Sequence, residues 1–326
     1  MPNLILHHYP NSPFSEKIRL ILGYKQLAWK SVVIPAIMPK PDVIALTGGY
    51  RKTPFLQIGA DIYCDTALIC DVLEHLQLAP TLYPEPEKGL ARILAQWADS
   101  TLFWAAMAYN LQPKGAAEMF AHAPPEAAKS FGEDRGKMTT GMVRLRPADA
   151  TAAYKSYLRR LSDMLDDRPF LLGETPCITD FSAYHPLWYT RRIDAVNDIL
   201  DLTPAVVDWM DRMAAVGHGA MKKFSSAEAV TLAHDSTPAV LAPREIPAQA
   251  GGVPTVLTDN VFQDEHGIAL GSRVTVRAES FGTEEAEGEL LAATRMHYTL
   301  RRTDERAGTV HVHFPRIGYV LRKVES

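Results

Sequence analysis

Two proline-rich segments, which lack hydrophobic periodicity, divide this chain of 326 residues into three parts with different patterns. Residues 78–88 contain three prolines, and residues 236–254 contain several more together with Gly251-Gly252. Segments of this composition mark domain boundaries and extended linkers. We therefore predict a domain at residues 1–78, a second at 86–225, a linker at 236–254 and a third domain at 255–326.

The three parts carry different structural signals. The first predicts the order strand, helix, strand, loop, strand, strand, helix, which is typical of an α/β domain. The second predicts long helices at about 86–111 and 148–166, joined by a long connection at 112–147 that is either functional or mobile. The third has short strand-like runs separated by glycines, which indicates a small all-β barrel.

Charge and composition exclude several function classes. The formal net charge of −4 gives no general signal for nucleic acid or for an anionic membrane. The three cysteines are too scattered for a disulfide framework, and no uninterrupted apolar run reaches membrane-spanning length. We therefore expect a cytoplasmic protein that binds neither membranes nor nucleic acid. No third ligand is spaced to join the His7-His8 or His311/His313 pair, so we predict no metal site.

Four motifs, together with their order along the chain, resemble the cytosolic glutathione transferase family over about residues 3–225. Ser12-Pro13-Phe14 resembles the active-site turn of the omega and tau classes, and residues 48–54 resemble the segment that ends in the family's cis-proline, here Pro54. Residues 63–66 resemble the pair that grips the γ-glutamyl end of glutathione. Residues 173–180 resemble the family's helix-capping box. The resemblance implies a thioredoxin-like α/β domain and an all-α domain, here followed by the small barrel.

The resemblance also implies a role for each matching residue. Ser12, at a helix N-terminus, would stabilise the glutathione thiolate, although a simple N-cap is the alternative. Phe14 and the Thr53-Pro54 pair would contact the bound peptide, with Thr53 pairing through its backbone. Asp65 and Thr66 would bind the γ-glutamyl end. Either Lys40 or Lys52 would meet the glycyl carboxylate, and the sequence leaves this choice open.

The second substrate is less defined by the sequence. Tyr9 is a rival to Ser12 as the thiol-activating group, because tyrosine-type transferases place a phenol at the end of the first strand. The electrophile should lie between the first two domains, where the aromatic residues Phe103, Trp104 and Tyr109 are candidate lining residues. The cysteine that omega-type disulfide chemistry requires is absent at position 12, so conjugation is favoured over thiol–disulfide exchange.

These patterns predict a glutathione transferase that uses glutathione as co-substrate against a small electrophile, as in detoxification. The family resemblance implies a homodimer. The alternative hypothesis is a non-catalytic, transferase-like scaffold that acts through protein contacts, with the C-terminal barrel as the interaction module.

Overall fold

The computed structural model describes residues 2–143, 145–239, 262–263 and 265–325. The predicted linker at 236–254 lies outside the described residues from position 240 onward, as do positions 255–261 of the predicted third domain. No helix within the described ranges is both long and apolar enough to cross a membrane.

The N-terminal part alternates strands and helices in the predicted order. Its elements are β1 Leu4–His8, α1 Pro13–Tyr24, β2 Trp29–Val33, α2 Pro41–Thr47, β3 Phe55–Ile58, β4 Asp61–Cys64 and α3 Thr66–Leu76. β1 pairs in parallel with β2 and antiparallel with β3, which pairs antiparallel with β4. Helix α2 was not predicted. It begins at a proline and ends at Gly48, whose φ of 79° suits a residue without a side chain.

The middle part is helical. It contains α4 Lys88–Trp97, a π-helical turn Ala98–Leu102, α5 Phe103–Asn110, α6 Pro113–Met119, α7 Pro125–Met138, α8 Pro147–Met164, α9 Ile178–Arg191, a 3-10 turn Asn197–Leu202 and α10 Pro204–Ala214. The single helix predicted at 86–111 is thus interrupted by a π turn. The long connection predicted at 112–147 folds into α6 and α7.

After α10 the chain returns to the first sheet. The short strand β5 Met221–Lys223 pairs in parallel with β2, and α11 Ser226–His234 follows it. Ser225 caps α11, because its Oγ accepts a hydrogen bond from the Glu228 amide at 3.2 Å. The sequence pattern predicted neither element.

The C-terminal strands form an antiparallel ladder, as the prediction of an all-β part requires. They are β6 Arg273–Ala278, β7 Ala286–Ala293, β8 His297–Asp304, β9 Gly308–Pro315 and β10 Tyr319–Lys323. Unexpectedly, the outer edge of β9 pairs in parallel with β4, with Asp61 opposite His311 and Tyr63 opposite His313. The described strands therefore make one ten-stranded sheet in the order β10-β6-β7-β8-β9-β4-β3-β1-β2-β5.

The two halves of this sheet share a core. One buried cluster joins Ile5 and Ile62 of the N-terminal strands to Val274, Leu300 and Val312 of the C-terminal strands. A second cluster lies between the other face of the N-terminal sheet and the helices of the middle part. The C-terminal strands thus pack as an extension of the N-terminal sheet.

Candidate functional site

Strand register brings the predicted glutathione-binding motifs to one edge of the sheet. His7 at the end of β1 lies opposite Phe55 at the start of β3, and Phe55 lies opposite Cys64 at the end of β4. The segments that follow β1 and β4 and precede β3 therefore leave the sheet side by side. They carry Ser12, Asp65 and Pro54, respectively.

Ser12 is the N-cap residue of α1. Its Oγ accepts a hydrogen bond from the Ser15 amide at 3.2 Å, and the residue is 2% exposed. The capping role predicted as the alternative is therefore present. The hydroxyl proton is still available to donate, so the two roles of Ser12 are compatible.

The Thr53–Pro54 peptide bond is cis, as the family resemblance implies. Pro54 is buried, whereas Thr53 immediately before it is half-buried. Phe14 is placed differently from its expected role at the peptide. Its ring packs against Phe103 at 4.7 Å and His185 at 4.4 Å between centroids, so it belongs to an aromatic contact between the first two parts of the chain.

Asp65 begins α3 and has three polar partners. Its Oδ1 accepts from the Ala67 amide at 3.0 Å, which caps the helix. Its Oδ2 accepts from the Tyr319 hydroxyl at 3.0 Å and lies 3.6 Å from Lys52 Nζ. Tyr319, from the C-terminal part of the chain, therefore lies at the predicted γ-glutamyl site.

A buried charge network lies behind α3. Lys17 Nζ is 3.4 Å from Thr66 Oγ1 and forms an ion pair of 2.6 Å with Asp99, whose other oxygen is 3.0 Å from His185 Nε2. Burial disfavours the Asp99 carboxylate, but the attraction of Lys17 and His185 outweighs it and holds the pKa of Asp99 below its usual value. The π turn supplies Asp99, so periodicity alone could not reveal this network.

The structure separates the two lysine candidates. Lys40 Nζ lies 3.3 Å from the Arg51 carbonyl oxygen and 3.5 Å from Thr53 Oγ1, whereas Lys52 extends to Asp65. Lys40 is 3% exposed, and no carboxylate of the described residues lies within 4.0 Å of its Nζ. Burial, together with the nearby charges of Arg135 and Arg51, lowers the pKa of Lys40 to about 8.

Helix α7 contributes charged groups that the sequence did not indicate. Arg135 donates to the Tyr9 hydroxyl at 3.3 Å and to the Ala36 carbonyl at 2.9 Å. Its neighbour Asp134 pairs with both Arg135 and Arg51. The predicted Tyr9 is thus held by α7, and the long connection at 112–147 reaches the site.

The predicted aromatic residues lie in two places. Phe103 contacts Phe14, and Trp104 contacts the ring of Phe281 at 5.2 Å. Tyr109 instead donates to the Val196 carbonyl at 3.2 Å inside the helical part. The structure therefore brings Phe103 and Trp104, but not Tyr109, towards the edge of the sheet at which the predicted glutathione-binding motifs lie.

The loop between β6 and β7, residues 279–285, covers this edge. Phe281 packs on Trp104, the Gly282 amide donates to the Met138 carbonyl at 3.0 Å, and Glu284 pairs with Arg51 at 2.5 Å. A Cβ atom at position 282 would lie 3.1 Å from Lys52 Cγ, so only glycine fits without displacing its neighbours. Nothing in the local sequence pattern indicated that the C-terminal strands reach the site.

The histidines of β9 lie where β9 pairs with β4, which we call the joint between the two parts of the sheet. His313 Nε2 lies 2.9 Å from Asp61 Oδ1, and His311 Nδ1 lies 3.8 Å from the same oxygen. Within the described part of the chain, no group of three or more histidine, cysteine or acidic residues is arranged to hold a metal ion. His313 links β9 to β4 through its side chain, and His311 through its backbone amide, which donates to the Ala60 carbonyl at 3.0 Å.

Comparisons with known proteins agree with this architecture. The family profile for the glutathione S-transferase N-terminal domain matches residues 6–81, and that for the C-terminal domain matches residues 134–212. A GST-like protein from Pseudomonas syringae, whose crystal structure is known, is 39% identical in sequence to this chain. The structural match covers 99% of this chain and 100% of that chain, with a TM-score of 0.77.

Two other comparisons are more distant. A glutathione S-transferase from Rhodospirillum rubrum is 20% identical in sequence to this chain. The structural match covers 65% of this chain and 88% of that protein, with a TM-score of 0.51, and it supports the fold alone. FtsZ-localized protein A from Caulobacter vibrioides is 23% identical over 184 residues, which are 55% of this chain and 73% of that protein. The predicted fold class is confirmed, and the chain belongs to the glutathione S-transferase family.

Proposed function

We propose that the protein binds glutathione at the edge formed by Ser12, Thr53-Pro54 and Asp65-Thr66, and activates its thiol as a thiolate that attacks a small electrophile. The thiol proton passes to solvent, and a new bond from sulfur to the electrophile forms as the electrophile loses a leaving group or, in an addition, takes up a proton. The observation that carries this proposal is Lys40, a buried ammonium group with no carboxylate at ion-pair distance among the described residues. Two neutral oxygens, the Arg51 carbonyl and Thr53 Oγ1, accept from Lys40 Nζ, but a buried charge without a counter-charge is still costly. The glycyl carboxylate of a peptide paired with Thr53 would supply the missing partner.

Thiol activation would use the N-terminus of α1. A thiol with a pKa of about 8.5 is roughly 3% ionised at pH 7, and lowering that pKa to about 7 requires about 2 kcal/mol. Unpaired backbone amides and the helix dipole stabilise an anion at such a position, and the Ser12 hydroxyl can donate one further hydrogen bond. Together these groups suffice for the required shift.

The electrophile would approach from the side of Trp104 and Tyr9. Phe281 and Arg135 cover this side, so substrate entry would require the loop at residues 279–285 to move. Loops that close over an active site and exclude water are common in enzymes. Conjugation of small electrophiles, as in detoxification, is the activity that this arrangement supports best.

Calorimetric titration tests the proposal. We expect saturable binding of glutathione and of S-methyl glutathione, with Lys40→Met weakening both by about tenfold or more because a charge-assisted contact is lost. Lys155→Met, at an exposed position on α8, is the matched control and should bind like the wild type.

Ser12→Ala separates binding from activation. It should still bind S-methyl glutathione but should lose the ultraviolet absorbance of the bound glutathione thiolate. Absence of binding at millimolar ligand, with the wild-type protein folded, would contradict the transferase proposal.

Two observations favour a second candidate, a scaffold that acts through protein contacts. The chain's own loop is bound at the site, with Phe281 packed on Trp104 and Glu284 paired with Arg51, and one relative carries a name that associates it with FtsZ. Co-sedimentation with purified FtsZ polymers, together with no binding of glutathione, would support this alternative over the transferase.

We also propose a homodimer that uses the exposed face of α4. Leu90 and Ile93 lie three residues apart on this helix and are 45% and 67% exposed. Large apolar side chains that are adjacent and exposed favour association with a second copy. Light scattering after gel filtration should show a dimer for the wild type and a monomer for Ile93→Asp. Leu202→Asp, at another exposed leucine, should remain dimeric.

A reducing compartment, the cytoplasm, is the proposed location. Cys64, Cys70 and Cys177 are all buried and unpaired. Burial raises the pKa of Cys70 and of Cys177 to about 12, which keeps both as unreactive thiols. Detection in the soluble cytoplasmic fraction after cell fractionation tests this proposal, and recovery from an exported fraction would contradict it.

A further inference from the structure

The carboxylate of Asp65 is already paired inside the protein. Its two oxygens are engaged by the Ala67 amide, by the Tyr319 hydroxyl at 3.0 Å and by Lys52 Nζ at 3.6 Å. An aspartate at the start of α3 would bind the α-ammonium group of a γ-glutamyl ligand through these same oxygens. Lys52 therefore places a cation where such an ammonium group would pair.

Lys52 is held in this position from several directions. Its Nζ lies 4.7 Å from the centroid of the Tyr319 ring and 5.7 Å from that of Tyr50. Its aliphatic stem faces Gly282, where an added Cβ atom would lie 3.1 Å from Lys52 Cγ. The Lys52 side chain is consequently only 20% exposed. A cation between two aromatic rings and a carboxylate is stabilised by all three.

Two of these constraints come from the C-terminal sheet. Tyr319 lies on β10, and Gly282 lies in the loop between β6 and β7. The parallel pairing of β4 with β9 fixes this sheet against the strand that leads to Asp65. The C-terminal part of the chain is therefore a structural component of the subsite next to α3.

The charge balance of this subsite disfavours an additional cation. A ligand ammonium group that approached Asp65 would have to displace Lys52 or lie beside it. The two ammonium groups would then repel each other. Asp65 repels a ligand carboxylate as well, but Lys52 and the N-terminal amides of α3 both attract an anion and offset that repulsion.

We propose that Lys52, held on Asp65 by Tyr319, makes this subsite selective for thiol ligands that present a carboxylate without an α-ammonium group. The proposal rests on the proposed binding of a glutathione-like peptide along Thr53 and α3. The ligand class is an anionic, N-acylated cysteinyl peptide. Glutaryl-cysteinyl-glycine represents it, because this peptide is glutathione without the α-amino group.

Paired titrations of glutathione and glutaryl-cysteinyl-glycine test the selectivity. We expect the wild type to bind the glutaryl peptide about fivefold or more tightly than glutathione, as one partly buried charge contact allows. Lys52→Met frees Asp65 for the ligand ammonium group, so the ratio of the two affinities should shift towards glutathione by about tenfold.

Two further variants keep the test specific. Tyr319→Phe retains the ring but removes the hydroxyl donor, and should shift the ratio in the same direction by a smaller factor. Lys155→Met should leave the ratio unchanged. Since both ligands are measured on the same preparation, a partial loss of folded protein alters both signals equally and leaves the ratio intact.

The outcomes separate this inference from the proposed function. Tighter binding of glutathione by the wild type, with a ratio that Lys52→Met does not change, would overturn the selectivity and leave glutathione binding in place. If neither peptide binds to the folded wild type, the proposed function fails and the selectivity fails with it.

Discussion

The buried histidine His7 should make the protein lose stability in mild acid. His7 is 1% exposed, stacks on Phe55 with ring centroids 4.2 Å apart, and its Nε2 donates to Gln57 Oε1 at 2.8 Å. Burial lowers the pKa of His7 from 6.5 to about 4, although the bond to Gln57 acts in the opposite direction. The folded protein therefore holds His7 neutral at a pH where the unfolded chain protonates it.

The size of the effect follows from this difference in pKa. Between about pH 6.5 and pH 4 the unfolded state binds more protons, so the free energy of unfolding falls as the pH is lowered. Keeping His7 neutral lowers the free energy of unfolding at about pH 5 by about 2 kcal/mol relative to its value at high pH. His8, with its pKa also lowered to about 4, and His297, with its pKa lowered to about 3, act in the same direction. The total loss of stability in mild acid is therefore larger than the contribution of His7 alone.

The variant His7→Gln tests this reasoning by urea unfolding. Its amide nitrogen can replace the Nε2 donor to Gln57 but cannot titrate. We expect a modest loss of stability near neutral pH from the lost ring contact. The difference in unfolding free energy between about pH 7 and pH 5 should be smaller than in the wild type by about 2 kcal/mol.

The control is His234→Gln, because the His234 side chain is 56% exposed. It should keep the wild-type difference between the two pH values. If His7→Gln retained that full difference as well, the burial of His7 would not be a source of the acid sensitivity, and the reasoning would be refuted.

Three further predictions concern stability and local opening. Asp180→Asn should lower the free energy of unfolding by about 2 kcal/mol in thermal melts, because asparagine has one acceptor oxygen where the buried carboxylate has two. Oδ1 accepts from Trp209 Nε1 and Oδ2 accepts from the Cys177 amide at 2.9 Å, so one buried donor loses its partner. Phe281→Ala should increase amide hydrogen exchange at Gly282 by about fivefold, since an aromatic contact contributes roughly 1 kcal/mol; unchanged exchange would show that the ring does not hold the loop. Asp61→Ala should make β9 exchange faster than β1, because His313 Nε2 loses its acceptor, Asp61 Oδ1 at 2.9 Å, and equal protection of both strands would argue against this.

Local patterns in the sequence were sufficient for most of the N-terminal fold. The strand before Ser12, the helix after it and the helix start at Asp65 each carry turn or capping residues next to a periodic apolar run. The capping box is confirmed by the bond from the Cys177 amide to Asp180 at 2.9 Å. These signals are local in sequence and do not depend on distant partners.

The parts that escaped prediction depend on distant contacts. Whether β9 pairs with β4 or with another C-terminal strand is decided by edge-to-edge pairing, for which hydrophobic alternation carries no information. Tyr319 reaches Asp65 only through that pairing, and Arg135 reaches Tyr9 only once α7 has folded over the cleft. The candidate site was thus predictable where it follows a local motif, and hidden where the C-terminal strands and α7 complete it.

The joint between β4 and β9 has a consequence for synthesis on the ribosome. Asp61 and His313, which meet there, are 252 residues apart in the chain. At 5–20 residues per second, about 10 to 50 seconds of translation separate them. During that time the N-terminal sheet carries β4 as an open edge, the kind of edge that recruits foreign strands. We expect nascent chains that end before β9 to aggregate or to bind chaperones, and stalled-chain pelleting assays should show solubility recovering only once β9 has left the exit tunnel.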